Sequence, residues 1–455
     1  MKKISILIGL LFTTHAFSQE ISGSWSGNLE APGLELPVIF HIESFGSTLM
    51  ASMDSPKQGA FGIRADSTGL KEDQLEIKFV RIGVVYKGSY NSSSQVINGT
   101  FSQGGMNIPL NLKRQQQTEE EEVIARRPQE PQDPLPYHSE EVTFTNPTDG
   151  IRLAGTLTFP RESTQFPAVV LISGSGPQNR DSEAFGHRPF LVLSDHLTKN
   201  GIAVLRFDER GVGKSTGDFS TATSRNFAND VVAAINFLIS RREVDTDRIG
   251  LIGHSEGGIV APMVADQSEE VDFMVLLAGP SLPGDQNLLL QKRLIEEKMG
   301  VNEETVALGQ QIFQEAYGIL KDPDTTGLNQ RVRSHLQNAF ASGLSDDQVE
   351  ALVEQLTSPW MVFYLNHDPA EVLRRIDIPT LALFAKNDLQ VPADENARTL
   401  LEGDYNNEWT IRIFENLNHL FQESPTGLPH EYSQIEETIS PIVLETISTW
   451  ILEQN

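Results

Sequence analysis

The stretch that decides the fold is RIGLIGHSEGGIVAPMVA, residues 248–265. An apolar run stops at Gly253, and a second apolar run with helical spacing starts at Ile259. The residues between them predict a sharp turn from a buried strand into a buried helix. Gly253 and Gly257 lie two positions either side of Ser255, and without Cβ atoms they let strand and helix approach closely. We therefore predict that Ser255 is a nucleophile at the carboxyl edge of a sheet.

Length and composition limit the classes of protein. The chain has 455 residues, which predicts two domains. It has no cysteine, which excludes disulfides, thiolate chemistry and cysteine-ligated zinc. Its formal net charge of −27 repels phosphate backbones and anionic lipids, and therefore argues against nucleic acid or a membrane surface as a partner. No later apolar run is long enough to span a bilayer, so we expect no membrane anchor.

The N-terminal third divides into three segments. Residues 1–18 carry two lysines, an apolar run and small residues before Gln19, which predicts a signal peptide cut near Ser18 and export to the periplasm or medium. Residues 19–114 alternate in short segments between turn residues and predict a small all-β barrel or sandwich. Residues 115–137 are charged and punctuated by proline, and predict a linker. The expected core of the β domain is Trp25, Phe40, Phe79, Tyr86 and Phe101.

From residue 138 to 455 strands alternate with helices, which predicts a largely parallel sheet covered on both faces. A glycine-rich loop, SGSGP (173–177), follows a fully apolar strand. We predict that the backbone N–H groups of Ser175 and Glu256 form an oxyanion hole at this edge. The later segment GVGKST resembles the end of a phosphate-binding loop, but Asp208 replaces its leading glycine. Asp208 and Arg210 are instead expected to brace the loop by hydrogen bonds.

Residues 285–376 interrupt this alternation with helical patterns and predict a lid over the site. The residues Trp360, Met361, Phe363 and Tyr364 are candidates either for an acyl pocket or for packing the lid on the body. The sheet resumes with two further strands, and a closing helix is predicted over 435–452.

Those last two strands carry the remaining candidates for catalysis. Asp388 follows one by a short loop, and His419 follows the other. A histidine has a pKa suited to taking the proton of a serine hydroxyl, and an aspartate can fix its tautomer and stabilise the imidazolium. The chain order of Ser255, Asp388 and His419 is that of an α/β hydrolase. The weaker candidates are Glu415 and Asp404 for the acid and His430 for the base.

From about Tyr137 to the end, the chain resembles α/β-hydrolase serine esterases, more narrowly bacterial carboxylesterases with a small N-terminal β domain. The matching stretches are SGSGPQNRD (173–181), FDERGVGKS (207–215), GHSEGG (253–258), SPWMVFYLNHDP (358–369) and AKNDLQVP (385–392). This resemblance implies hydrolysis of short-chain acyl esters by Ser255, Asp388 and His419, with neither a cofactor nor a metal.

Two other functions remain open at this point. An exopeptidase or amidase of the same fold would use the same triad, because only the leaving group and the pocket distinguish an ester from an amide. A non-enzymatic secreted binding protein would be expected to lack a triad member, and none is missing. The substrate expected for the esterase is a small-molecule ester or an acylated carbohydrate. No oligomeric state is predicted.

Overall fold

The structure is a computed structural model. It describes residues 21–31, 34–45, 48–55, 60–65, 67–71, 73–79, 83–103, 106–115, 127–162, 165–340, 346–403, 405 and 409–454. The chain divides into two compact units, Met1–Glu119 with Phe340–Val353, and Glu120–Ala339 with Glu354–Asn455. The predicted signal peptide and residues 116–126 of the predicted linker lie outside the described residues.

One antiparallel sheet accounts for the described strands of the first unit. Its order is β4-β3-β2-β1-β9-β8-β7-β6-β5. The strands are β1 (Gly23–Ala31), β2 (Leu34–Phe45), β3 (Thr48–Ser55), β4 (Ala60–Arg64), β5 (Ser67–Lys71), β6 (Gln74–Phe79), β7 (Val84–Asn91), β8 (Val96–Gln103) and β9 (Met106–Arg114). The sequence does not predict β4 and β5, because glycines interrupt their apolar alternation.

The first sheet curls so that one face closes on itself. Phe40 on β2 lies 5.8 Å from the ring of Phe79 on β6 and 5.0 Å from the ring of Tyr86 on β7. These strands stand near opposite ends of the sheet order, so only strong curvature can bring their side chains together. All five predicted core aromatics are buried. The prediction of an all-β, barrel-like unit is therefore confirmed.

The second unit holds an eight-stranded sheet in the order β10-β11-β13-β12-β14-β15-β16-β17. The strands are β10 (His138–Asn146), β11 (Ile151–Phe159), β12 (Phe166–Ile172), β13 (Ala203–Phe207), β14 (Val244–His254), β15 (Phe273–Leu277), β16 (Thr380–Ala385) and β17 (Trp409–Phe414). The strands β10 and β11 form an antiparallel hairpin, β11 is antiparallel to β13, and all later neighbours are parallel. The parallel strands therefore end at one common edge.

Helices cover both faces of this sheet. The described α-helices are α1 (Pro189–Lys199), α2 (Ser224–Ile239), α3 (Gly257–Ala265), α4 (Gly284–Lys298), α5 (Glu303–Leu320), α6 (Leu328–Phe340), α7 (Asp346–Leu356), α8 (Pro359–Asn366), α9 (Pro369–Leu373), α10 (Ala393–Glu402) and α11 (Pro441–Glu453); most of α7 belongs to the first unit. Alternate residues of β12 enter two separate apolar clusters: Val170 packs with α2 and α3, whereas Val169 packs with α1, α10 and α11. This two-faced sheet confirms the predicted α/β-hydrolase fold.

The described residues between β15 and β16 form the six helices α4 to α9 and no strand, as the predicted helical insertion requires. The closing helix begins at Pro441, later than the predicted start at Ile435. A 3-10 helix over Pro429–Gln434 and an irregular stretch precede it, and a proline at the first helical position favours a start there. Within the described ranges, no helix is long and apolar enough to cross a membrane.

Candidate active site

Ser255 occupies the turn between β14 and α3 with a left-handed backbone angle, φ of 53°. A side chain in this conformation is strained, as is typical of a nucleophile on a sharp strand-to-helix turn. A Cβ atom on Gly253 would lie 2.0 Å from the carbonyl oxygen of Gly257, and one on Gly257 would lie 2.2 Å from that of Ile172. Glycine is therefore a steric requirement on both sides of Ser255.

Asp388 and His419 meet at the carboxyl edge of the sheet. His419 Nδ1 lies 2.7 Å from Asp388 Oδ2, and both side chains are buried. The other carboxylate oxygen of Asp388 accepts the N–H groups of Gln390 at 2.7 Å and Val391 at 2.9 Å. Because both oxygens are engaged, the carboxylate has a fixed orientation. The bond through Nδ1 leaves Nε2 of the imidazole for proton transfer.

His254 joins the His419 loop to the nucleophile turn. Its Nε2 donates to the main-chain oxygen of His419 at 2.9 Å, and the two rings lie 4.8 Å apart. Burial, with a contribution from His419, lowers the pKa of His254 to about 4, so this imidazole stays neutral at pH 7. The structure thus places His419 against the residue next to Ser255.

The predicted oxyanion donors lie on either side of Ser255. A Cβ atom on Gly174 would lie 3.1 Å from Ser255 Cβ, which puts the Ser173–Gln178 loop directly against the nucleophile. Glu256 lies at the start of α3, where backbone N–H groups have no partner inside the helix. In the described part of the chain, neither the Ser175 nor the Glu256 N–H makes a hydrogen bond to another protein group. Both are therefore available to an oxyanion.

The side chain of Glu256 has a role that the sequence analysis does not predict. Its Oε1 accepts the hydroxyl of Ser224 at 2.6 Å and the indole N–H of Trp360 at 2.7 Å, and the carboxyl group also bonds to the Ser175 side chain. Burial raises the pKa of this carboxyl above its ordinary value. One buried group therefore joins the nucleophile turn, the Ser173–Gln178 loop, α2 and the insertion helix α8.

Glu209 is a second buried carboxyl group beside the same loop. Its Oε2 accepts the N–H of Gln178 at 2.9 Å, and it also bonds to the Ser173 side chain. Burial raises the pKa of Glu209 well above its ordinary value, and the nearby Glu256 carboxyl adds to the effect. The sequence gives one signal for it: Glu209 follows the buried strand β13 at the carboxyl edge of the sheet.

The predicted bracing by Asp208 and Arg210 is confirmed. Asp208 accepts two bonds from the Arg180 guanidinium, at 3.0 and 2.9 Å, and one from the N–H of Lys214 at 3.0 Å. Arg210 donates to Asp230 at 2.8 Å. The N–H of Lys214 therefore already has a carboxylate partner, which agrees with rejecting the phosphate-binding motif.

Of the weaker candidates, only Glu415 has a described side chain, and it does not join the Asp388–His419 pair. Glu415 is exposed, Asp404 lies outside the described residues, and the same is true of the His430 side chain. Among the residues that the structure describes, no group of three or more histidine, aspartate or glutamate side chains could hold a metal ion.

Known proteins resemble parts of this chain. The chain is 26% identical over 324 residues to esterase EstD of Thermotoga maritima, covering 70% of this chain and 69% of that protein. It is 29% identical over 155 residues to human dipeptidyl peptidase 8, covering 32% of this chain and 17% of that protein. A solved Pyrococcus furiosus esterase shares 18% identity with a TM-score of 0.43, covering 70% of this chain and 91% of that one.

The family comparison matches residues 149–410, more than half of the chain, to a family described as X-Pro dipeptidyl-peptidase (S15 family). This match contains the nucleophile turn and Asp388, and ends before His419. The fold and this match together show that the protein belongs to the S15 family of α/β hydrolases.

Proposed function

We propose that the protein is a serine carboxylic ester hydrolase that cleaves short-chain acyl esters through an acyl-enzyme. The observation that carries the proposal is the buried bond between His419 Nδ1 and Asp388 Oδ2, held against the strained turn of Ser255. The similarity to esterase EstD supports an ester as the substrate.

The reaction follows from the roles of these groups. His419 Nε2 takes the hydroxyl proton of Ser255 as the oxygen attacks the acyl carbon, and Asp388 stabilises the imidazolium that forms. The Ser175 and Glu256 N–H groups hold the negative oxygen of the tetrahedral intermediate, where the loss of one donor costs about 3 kcal/mol. His419 then protonates the leaving alcohol. A water molecule, activated by the same histidine, releases the acid and regenerates Ser255.

The family match favours one other function, the removal of dipeptides from X-Pro chain ends. The triad chemistry is the same for both, but the leaving group differs. Hydrolysis of an amide must protonate a poor amine leaving group, whereas an ester releases an alkoxide more readily. A direct comparison of substrates with the same purified protein distinguishes these functions.

The experiment is a panel of p-nitrophenyl esters from acetate to octanoate, acetylated sugars, and X-Pro p-nitroanilides. We expect the highest kcat/KM for acetate or butyrate, and we expect Ser255→Ala to abolish turnover without changing the circular dichroism spectrum. The exposed Ser240, at the end of α2, gives the control Ser240→Ala, which should retain full activity. Full activity of Ser255→Ala would refute the assignment, and faster anilide than ester cleavage would favour the peptidase.

We also propose that the protein is exported, because residues 1–18 have the pattern of a signal peptide. An exported enzyme meets polymers, so acylated carbohydrates are the natural esters to include in the panel. N-terminal sequencing of protein secreted by the native host tests the export. A mature chain that begins at Gln19 is expected, and an intact Met1 on cell-associated protein would contradict the proposal.

A further inference from the structure

Arg127 and Gln129 belong to the predicted linker, but they bind the body of the second unit. We name Arg127–Gln129 the strap. The Arg127 guanidinium donates to the main-chain carbonyl oxygens of Ile435 at 2.9 Å, Ser433 at 3.1 Å, Phe185 at 3.4 Å and, through Nε, Gly186 at 2.9 Å. A planar fork that binds several carbonyl groups fixes their relative positions in a way that a flexible lysine does not.

Gln129, the other end of the strap, binds residues that follow closely after those bound by Arg127. Its Oε1 accepts the N–H groups of Thr438 at 2.6 Å and Ile439 at 3.1 Å, and its Nε2 donates to the carbonyl of Ile439 at 2.6 Å. The residues from 435 to 440 form neither helix nor strand. Their backbone groups therefore need partners from elsewhere, and the strap supplies several of them.

Tyr432 connects the residues bound by Arg127, Ser433 and Ile435, to the Asp388–His419 pair. This side chain is 1% exposed and packs edge-on against Phe185 at 5.1 Å. Its hydroxyl group accepts from Gln390 Nε2 at 3.5 Å, and the backbone N–H of Gln390 donates to Asp388 Oδ1 at 2.7 Å. Burial, with a contribution from the charge of Asp388, raises the pKa of the phenol, so Tyr432 stays protonated. A displacement of residues 433–435 would therefore reach the pair through one rigid ring.

The stretch held by Gln129 reaches the same loop by a second route. Ser440 N–H donates to the carbonyl of Phe421 at 2.9 Å, and Gln422 Nε2 donates to the carbonyl of Glu437 at 3.0 Å. Gln422 N–H in turn donates to Asn418 Oδ1 at 3.0 Å. In the sequence, Asn418 precedes His419, and Phe421 and Gln422 follow it closely. The backbone on both sides of His419 is thus tied to the residues that the strap holds.

We propose that Arg127 and Gln129 are positioning residues for His419, so that the chain entering the second unit sets the orientation of the general base. Testing this positioning role by ester hydrolysis rests on the proposed function. A displaced imidazole should slow proton transfer more than it weakens substrate binding, because a misplacement of about 1 Å can cost roughly 100-fold in rate. The expected signature is a lower kcat with little change in KM.

The test uses Arg127→Ala, Arg127→Lys and Gln129→Ala in the full chain. The matched control is Arg161→Ala, because Arg161 also donates to a linker carbonyl, that of Leu135 at 2.7 Å, and is exposed. For each variant we would measure kcat and KM for p-nitrophenyl butyrate, the pH profile of kcat, and the rate of Ser255 labelling by a fluorophosphonate. Labelling needs an activated serine but no ester specificity, so it tests the strap even if the protein cleaves no ester.

We expect Arg127→Ala to lower kcat and the labelling rate roughly 10- to 100-fold, with recovery when millimolar guanidinium fills the vacated site. Arg127→Lys and Gln129→Ala should show smaller losses, and Arg161→Ala none. If Arg127→Ala does not fold, Arg127→Lys and Gln129→Ala decide the question. Labelling at the wild-type rate in the folded strap variants, or an equal loss in Arg161→Ala, would overturn the proposal.

Discussion

Replacing Trp360 with phenylalanine removes an indole N–H from the buried carboxyl group beside Ser255 and keeps an aromatic ring on α8. The lost bond measures 2.7 Å to Glu256 Oε1. A hydrogen bond to a charged acceptor contributes about 1.5–3 kcal/mol to stability. Glu256 keeps its bonds to Ser224 and Ser175, so we expect the lower end of that range.

The chain offers a matched control for this substitution. Within the described residues, the buried indole N–H of Trp409 has no hydrogen-bond partner, so Trp409→Phe removes ring surface without removing a bond seen there. Urea unfolding followed by circular dichroism measures both variants. We expect Trp360→Phe to lose about 1.5 kcal/mol more than Trp409→Phe. We also expect roughly tenfold lower kcat, because Ser175 depends on the same carboxyl group.

The excess loss of stability in Trp360→Phe should depend on pH. The indole N–H favours the ionised form of Glu256, whose pKa burial already raises, so removing it raises that pKa further. A carboxyl group whose pKa is higher in the folded than in the unfolded protein contributes its full stability below the unfolded-state pKa. This contribution is lost as pH rises through the folded-state pKa. The loss should therefore be larger at pH 8 than at pH 5. Equal losses in the two tryptophan variants at both pH values would refute the role assigned to this bond.

Three further predictions concern single positions. Asp388→Asn should lower kcat about 10⁴-fold with an intact fold, because His419 loses the partner that fixes its tautomer, and steady-state kinetics would check this. Glu209→Gln should become more stable than the parent as pH rises above about 4.5, by up to about 1.4 kcal/mol per pH unit. The reason is that the raised pKa of Glu209 opposes its ionisation in the folded protein. Urea unfolding midpoints whose difference stays the same from pH 4 to pH 8 would contradict this. Gly257→Ala should yield little soluble protein, since its Cβ would lie 2.2 Å from the carbonyl of Ile172, and a soluble variant of normal thermal stability would show that the turn can relax.

The sequence predicts the features that depend on local pattern. Period-two alternation identifies the β unit, and strands alternating with helices identify the parallel sheet. The carboxyl ends of parallel strands share one edge, so the order of Ser255, Asp388 and His419 is enough to predict that their loops converge. The start of the closing helix is predicted too early, because the apolar residues of 435–440 serve an irregular stretch rather than a helix.

The sequence does not predict the features that depend on buried polar contacts between distant segments. The Glu256 side chain meets Trp360, which is 104 residues away, and no periodicity signals such a pair. The strap lies within residues 115–137, which are charged and punctuated by proline, a composition typical of a solvated linker. Its partners are main-chain carbonyl and N–H groups, which almost every residue possesses. Such partners leave no mark in the sequence.

The bond between Arg127 and the carbonyl of Ile435 joins positions that are 308 residues apart. A chain is synthesised from its N-terminus, so nearly the whole polypeptide must be made before the partner of Arg127 exists. Contacts of such long sequence separation form slowly, because the entropy of closing the loop must be overcome first. The second unit therefore completes its fold only when the last residues of the chain have been synthesised. A nascent chain that stops before residue 435 should be cleaved readily by proteases.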